Sequence, residues 1–400
     1  MTKKNNLLKN KDFVKLLIAQ GVSDFGDGVA FLGFIMVALY IHSGGAFETS
    51  IIFISISIPV ILIGPFAGVF VDRWNRKHTM IASDVLRALA VCLLLVLSTL
   101  WAIYLVVFLI STLSRFFFPS RGAIIPNIVG KENVLRANAM SQSVMYAMNV
   151  LSPSASGLLI AMFGVESVFL IDAASYLFSA VMVLSLKYSE NPGNHPPANV
   201  NTVARGMKVG LRILLRTPPV KYIVIAFSII MLFAGAVNVL YLLFVRDVMH
   251  LNIVWVGYLE TIFGIGAVAG GAVISSLPKT TKNADLLVAG TSSGALIALL
   301  ALFPHLFVVV PGFFFVGFLM VFINTPPAAI AQKTIPDRAR GRVLSVMNAT
   351  FQTMSLVSML TVSAILAFVD IASLFILGGC MLFALGIILF GREKVRELLG

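Results

Sequence analysis

Long apolar runs recur along this chain, each broken by a short polar or charged stretch. The runs occupy 13–41, 48–71, 78–99, 101–120, 135–163, 166–187, 220–245, 254–276, 285–303, 306–331, 342–368 and 371–390. Each is near or above the ~20 residues that an α-helix needs to cross a bilayer. Barrel strands are shorter and alternate in polarity, so run length favours helices. The pattern predicts an all-α integral membrane protein with twelve transmembrane helices.

The longest polar interval, 188–219, separates runs six and seven. It opens Ser-Glu-Asn-Pro-Gly-Asn-His-Pro-Pro, a flexible polar stretch. Val203–Leu215 then sets Arg205, Lys208, Arg212 and Arg216 against Met207, Leu211 and Leu214, the pattern of an amphipathic helix lying on the inner leaflet. The expected organisation is a six-helix bundle over 1–187, a cytoplasmic linker with that helix over 188–219, and a second six-helix bundle over 220–400. The halves echo each other at an offset of 206 residues: Gly64 and Gly270, Arg73 and Lys279, Arg76 and Lys282, Ala123-Ile124 and Ala329-Ile330, Arg136 and Arg342. A transporter with two pseudo-repeated halves has this arrangement, with its substrate site between halves near mid-membrane.

Composition agrees. The chain is 59% hydrophobic and only 12% charged, where a soluble domain carries about 25% charged residues. Mean hydropathy is +0.98. The net charge of +12 would suggest nucleic acid in a soluble protein. Here it follows from the excess of Lys and Arg in cytoplasmic loops, and no nucleic-acid partner is implied. With both termini inside, all but three of the 29 Lys and Arg fall on the inner side. Arg246 is the exception outside, and Arg87 and Arg115 lie within spans. The basic stretch Thr2–Lys15 reads as a cytoplasmic tail and not a removable signal. Cys92 and Cys380 sit in apolar runs and imply no disulfide framework.

One inner loop carries more than orientation. Gly68-Val69-Phe70-Val71-Asp72-Arg73-Trp74-Asn75-Arg76-Lys77 places a small residue, a carboxylate and three cations at fixed spacing between runs two and three. Topology alone accounts for the cations but not for Gly68 and Asp72. This stretch resembles the signature of the major facilitator superfamily, and the resemblance extends over essentially the whole chain. Within that superfamily the chain resembles bacterial macrolide and multidrug efflux members. The residues that suggest this are Ser23-Asp24-Phe25-Gly26-Asp27, Asp84 and Arg87, Phe118-Pro119-Ser120-Arg121 with Ile125-Pro126 after span four, Ala137-Asn138-Ala139, Ile171-Asp172-Ala173 and Gly341-Arg342-Val343. Proton-antiporting exporters usually carry a Gly-Pro motif in span five. Here Ser152 precedes Pro153, which leaves the direction of transport open.

The resemblance implies the major facilitator fold and alternating access. A gate is expected from Gly68, Asp72, Arg73, Arg76, Lys77 and Arg342. Asp72 would face the start of span eleven, where helix-end N–H groups favour an anion, and the cations would pair with acids at the inner ends of spans. The same stretch also reads as a loop anchor without gating. Proton coupling needs an ionisable group inside the membrane, where such groups are costly and usually functional. Asp24 and Asp27 lie three apart on one helix face, and two close carboxylates in a low dielectric cannot both ionise cheaply. Asp27 is the first choice for proton binding; a standing pair with Arg115 is the other reading. Glu260 and Asp172 are further candidates, each with a bland reading as a shallow or locally paired acid. Asp84 and Arg87 are three apart and favour mutual neutralisation, with Arg115 as the remaining intramembrane cation. Asn238, Asn348 and Gln352 are candidates to line a substrate cavity, though such residues more often join helices. The 31 Phe and 16 Met suit an adaptable apolar cavity but are mostly expected to face lipid.

No enzyme constellation accompanies these groups. The chain has no GxxxxGK[ST] loop, no GxSxG elbow and no histidine spacing for a metal. The expected protein is a secondary active transporter, monomeric and multi-pass, in a bacterial plasma (inner) membrane. It would export a hydrophobic or amphiphilic small molecule, drug-like or antibiotic-like, with protons as partner, the proton gradient as energy source and no cofactor. The alternatives are a carrier of a lipid, siderophore or peptide, acting as a uniporter, and a non-transport sensor or enzyme that borrowed the fold.

Overall fold

Hydrocarbon offers the backbone no hydrogen-bond partner, so each spanning segment must bond to itself. The computed structural model describes residues 7–71, 74–97, 99–188, 200–278 and 281–399, and every regular element among them is helical. The first half contains α1 (Lys11–Ile35), α2 (Ala46–Leu62), α3 (Gly64–Val71), α4 (Arg76–Cys92), α5 (Leu100–Val129), α6 (Val134–Phe163) and α7 (Val165–Leu184). The linker helix α8 (Val200–Arg216) follows. The second half contains α9 (Pro218–Leu243), α10 (Ile253–Ser276), α11 (Asn283–Thr291), α12 (Ser293–Leu302), α13 (Leu306–Thr334), α14 (Asp337–Ile365) and α15 (Ile371–Phe390), and α16 (Glu393–Leu399) closes the described chain. Among the described residues, eleven helical stretches are long and apolar enough to cross a membrane. The remaining run, 48–71, is divided at Ile63 into α2 and α3, so all twelve expected runs are helical. Exposed Leu62, Leu89, Val181, Leu184, Leu232 and Val268 belong to the apolar surface that a bilayer covers.

Helix ends follow local chemistry. Asn10 Oδ1 accepts from the Phe13 N–H at 3.1 Å at the start of α1, and Asn75 Oδ1 accepts from His78 N–H at 3.0 Å at the start of α4. Gly164, at φ +82°, makes the turn between α6 and α7, a backbone conformation that a side chain would strain. One boundary differs from the sequence reading. Run four was expected to end at 120, with Arg121 in the inner loop beyond it, yet α5 contains Pro119 and continues through Pro126 to Val129. Each proline removes one N–H donor without ending the helix. Ser120 Oγ bonds the Phe116 carbonyl at 2.8 Å, supplying a donor next to the first of them.

The chain divides into two compact units. Unit one is Met1–Ser43 with Ile51–Val203; unit two is Gly44–Ser50 with Ala204–Gly400. Their internal pairings match. In unit one the first span packs on the fifth and sixth, the third on the fourth and sixth, and the second on the fourth. In unit two α9 packs on α14 and α15, α11 and α12 pack on α13 and α15, and α10 on α13. The first span of each half also ends in a π-helical segment, Met36–Ile41 and Phe244–Val248. The linker helix does not merely lie on lipid: Leu214 is buried, and a Cβ at Gly210 would stand 2.8 Å from the Arg342 carbonyl oxygen.

The tightest helix pair in unit two is α10 against α13. Without a hydrophobic drive inside lipid, helices associate through close packing, which small residues permit. A Cβ on Gly317 would lie 2.0 Å from the Phe263 carbonyl oxygen, whereas one on Gly271 would meet nothing within 4 Å. Gly317→Val is therefore expected to force the helices apart at a cost of about 1–3 kcal/mol, with Gly271→Ala nearly neutral. Thermal unfolding of the two variants in detergent checks this, and equal melting midpoints would contradict the packing.

Candidate functional site

Arg87 is a buried cation of unit one. Its side chain is 1% exposed and that of its partner Asp84, one helical turn earlier on α4, is 0% exposed. The Arg87 Nη2 donates to Asp84 Oδ1, and Nη1 reaches Ser114 Oγ on α5 at 3.4 Å. The guanidinium carbon lies 4.6 Å from the Phe117 ring centre and 4.4 Å from that of Tyr176, so the cation is held between an α5 ring and an α7 ring. Ring faces attract a cation electrostatically, by about 2 kcal/mol when water is excluded. A guanidinium is also planar and weakly hydrated, which suits it to this slot better than an ammonium.

The ring of Tyr176 faces Arg87 while its hydroxyl donates to Asp27 Oδ1 on α1. One tyrosine thus joins the first, third and sixth spans. Close approach of α1 to α7 makes this reach possible. A Cβ at Gly26 would lie 2.1 Å from Ser175 Oγ and 2.8 Å from Asp172 Oδ1. Asp172 sits one turn before Tyr176 and is buried. Among the described residues neither carboxyl oxygen of Asp172 has a hydrogen-bond partner, and Ser175 Oγ donates to the Asp172 backbone carbonyl at 2.8 Å. Asp24 is half-buried and accepts from Gln20 Nε2 at 3.0 Å, and the same amide reaches the Ser141 carbonyl on α6 at 2.9 Å.

Two further cations border the cluster. Arg115 is half-buried and directs Nε to the Ser111 carbonyl at 3.3 Å; it does not pair with Asp27, whose donor is Tyr176. Arg115 and Arg121 both lie over the Phe118 ring, at 5.4 and 5.5 Å. Asp24 feels the charges of Arg121, Arg87 and Asp27; Asp27 feels those of Arg87 and Arg115; Asp172 feels those of Asp27 and Arg87. The structure therefore brings Asp24, Asp27, Asp84, Asp172, Arg87 and Arg115 into one electrostatic group. Sequence reasoning missed Tyr176 as the joint, although Asp172 and Tyr176 stand four apart on one helix face. It also placed Arg121 in a loop, outside the group.

The other expected residues fall elsewhere. Glu260 lies in unit two on α10 and accepts from Tyr241 of α9. Asn238 lines a cavity with it, while Asn348 and Gln352 on α14 are exposed and outside that lining. In the basic loop, Asp72 and Arg73 lie outside the described residues, and the backbone of Gly68 belongs to α3. Arg76 begins α4. Lys77 does not take an acid. Its Nζ donates to the Leu186 carbonyl at 2.7 Å, just past the end of α7, where unpaired carbonyls favour a cation. Arg342, in the first turns of α14, has its backbone against Gly210 of the linker helix.

Two like-built bundles of apolar helices, one with a buried carboxylate–guanidinium group, define a polytopic membrane protein. The family model of the Major Facilitator Superfamily matches residues 16–359, and the chain belongs to that superfamily. It is 24% identical to the multidrug efflux pump Tap of Mycolicibacterium fortuitum, over 98% of each chain. It is 23% identical to macrolide efflux protein A of Streptococcus pyogenes, over 85% of this chain and 86% of that one. Its fold is similar to the crystal structure of the nucleoside transporter NupG, with a TM-score of 0.77 at 14% identity, covering 96% of this chain and 99% of that one.

Tyr176 offers a direct check on this geometry. Tyr176→Phe keeps the ring over Arg87 and removes the donor to Asp27, for an expected loss of about 1 kcal/mol. Tyr176→Ala also strips one face of the buried guanidinium and leaves a cavity, for a loss of about 3–5 kcal/mol. Thermal unfolding in detergent separates the two, and equal losses would mean that the ring contact contributes nothing.

Proposed function

We propose that this transporter couples proton movement to export of a hydrophobic or amphiphilic small molecule by alternating access. The observation that carries the reading is the balance of charge inside unit one. Four carboxyls, Asp24, Asp27, Asp84 and Asp172, interact with three guanidiniums, Arg87, Arg115 and Arg121. Desolvated charge is tolerated only when neutralised in place. One acid is in excess, and the group is neutral when one carboxyl carries a proton. Asp84 is committed to Arg87. Asp27 is half-buried on a tyrosine tether and is the exchange site in this reading; the enclosed Asp172, with no hydrogen-bond partner, is the acid that shares its proton.

Efflux, and a drug-like or antibiotic-like cargo, are supported by the relatives whose names record macrolide and multidrug efflux. The bacterial relatives support a bacterial plasma membrane location, and the charge bias of the loops supports cytoplasmic termini. The protein works as a monomer in this reading, and the Gly68–Lys77 stretch serves as the gate with Asp72 as its acid.

Inverted vesicles loaded with the protein and given an imposed pH gradient test the coupling. Ethidium uptake is expected to follow the gradient, to collapse with a protonophore, and to fall at least tenfold in Asp27→Asn. Uptake indifferent to the gradient, or an unaltered Asp27→Asn variant, would overturn it. Asp72→Asn is expected to abolish transport while equilibrium ethidium binding persists; transport at the native rate would remove Asp72 from the gate.

A further inference from the structure

Unit two encloses a second polar site of different chemistry. Residues of α9, α10, α12, α13 and α15 surround a cavity of about 120 Å³. Its wall is aromatic and aliphatic, with Tyr241, Phe263, Phe313 and Phe375 supplying rings, and Asn238 and Glu260 supplying the other polar groups. Packing fixes the rings. Tyr241 meets Phe313 edge-on at 6.1 Å, and Phe375 stacks on Phe244 at 5.2 Å. The Tyr241 hydroxyl donates to Glu260 Oε1, which orients the carboxyl against the cavity wall.

The electrostatic setting separates Glu260 from the acids of unit one. Those face three guanidiniums. Around Glu260 the neighbouring polar contact is the Tyr241 hydroxyl, and no Lys, Arg or His among the described residues acts on its charge. The side chain is nevertheless half-buried and not sealed, because it faces the cavity. A lone carboxyl walled by ring faces is complementary to a cation with an apolar periphery: the carboxylate offsets the charge and the rings receive the alkyl groups. An anion would be repelled by the carboxylate. The volume admits a compact head group and not a whole amphiphile, so the site holds one end of a longer molecule.

We propose that this cavity is a recognition subsite for the alkylammonium head of an amphiphilic substrate, with Glu260 as counter-ion and Tyr241 as the residue that positions it. This rests on the transporter reading above and names the chemical class of its cargo. It assigns Glu260 to substrate and not to the proton.

Benzyltrimethylammonium is a suitable probe because it carries a fixed charge and cannot exchange a proton. Its binding to the full-length protein in detergent, read by calorimetry and by the rise in melting midpoint, should be saturable. Glu260→Gln should weaken it at least tenfold, and Glu260→Asp, which keeps the charge, less so. Tyr241→Phe should weaken it severalfold. The neutral isostere neopentylbenzene should bind at least tenfold more weakly than the probe. Absence of saturable binding, binding unchanged in Glu260→Gln, or equal affinity for the isostere would overturn the proposal. If Glu260→Gln does not fold, the comparison of probe with isostere on the native protein decides. No pH gradient enters these measurements, so they stand or fall separately from the coupling assigned to Asp27.

Discussion

Arg87 cannot leave its place without exposing a charge to hydrocarbon or closing a gap between three helices. Its guanidinium is neutralised by Asp84 on its own helix and lies over the rings of Phe117 and Tyr176. Removing one member of such a buried pair typically costs about 3–5 kcal/mol. That penalty, more than the net strength of the pair, ties α4, α5 and α7 into one arrangement. The Tyr176 hydroxyl then extends the arrangement to Asp27 on α1. Structure and chemistry meet in one residue here, since the ring holds the cation and the hydroxyl holds the acid.

Close helix packing is the condition that makes such contacts possible. Lipid gives helices no hydrophobic reason to associate, so backbones must come near enough for dispersion to act. Gly26 lets α1 approach α7 at the level of Asp172 and Ser175, and Gly317 lets α13 meet α10 backbone to backbone. The halves share the same pairing scheme but differ in their polar content. Unit one gathers acids with guanidiniums, whereas the cavity of unit two is lined by the Glu260 carboxyl among rings. In the function proposed above, the first group serves the proton and the second the head group of the cargo.

Much of the fold was legible because run length and charge placement are statistics of many residues, and no single side chain decides them. All twelve runs became helical on that basis. The run-four boundary was misplaced because Arg121 and Pro126 look like a loop when read locally, while a helix in lipid tolerates both if neighbours satisfy the backbone. The acids Asp24, Asp27, Asp84 and Asp172 stood out because charge in an apolar run is rare. Their partners did not. Tyr176 is one of eight tyrosines, and nothing in the spacing says that its hydroxyl crosses to another helix. Whether Asp27 pairs with Arg115 likewise depended on where a long side chain turns, which helix periodicity does not encode. Lys77 illustrates the same limit: its sequence context suggests an acid, but among the described residues its Nζ donates to the Leu186 carbonyl.

The excess of one acid over the guanidiniums in unit one is open to direct observation by infrared spectroscopy. The carbonyl stretch of a protonated carboxyl is resolved from carboxylate bands and shifts on deuterium exchange. Recorded at neutral pH in the Glu260→Gln background, the purified protein should show one buried protonated carboxyl. That band should vanish when either Asp27 or Asp172 is replaced by Asn, since three acids then face three guanidiniums. A spectrum with no such band, every carboxyl being ionised, would contradict a proton held in this cluster.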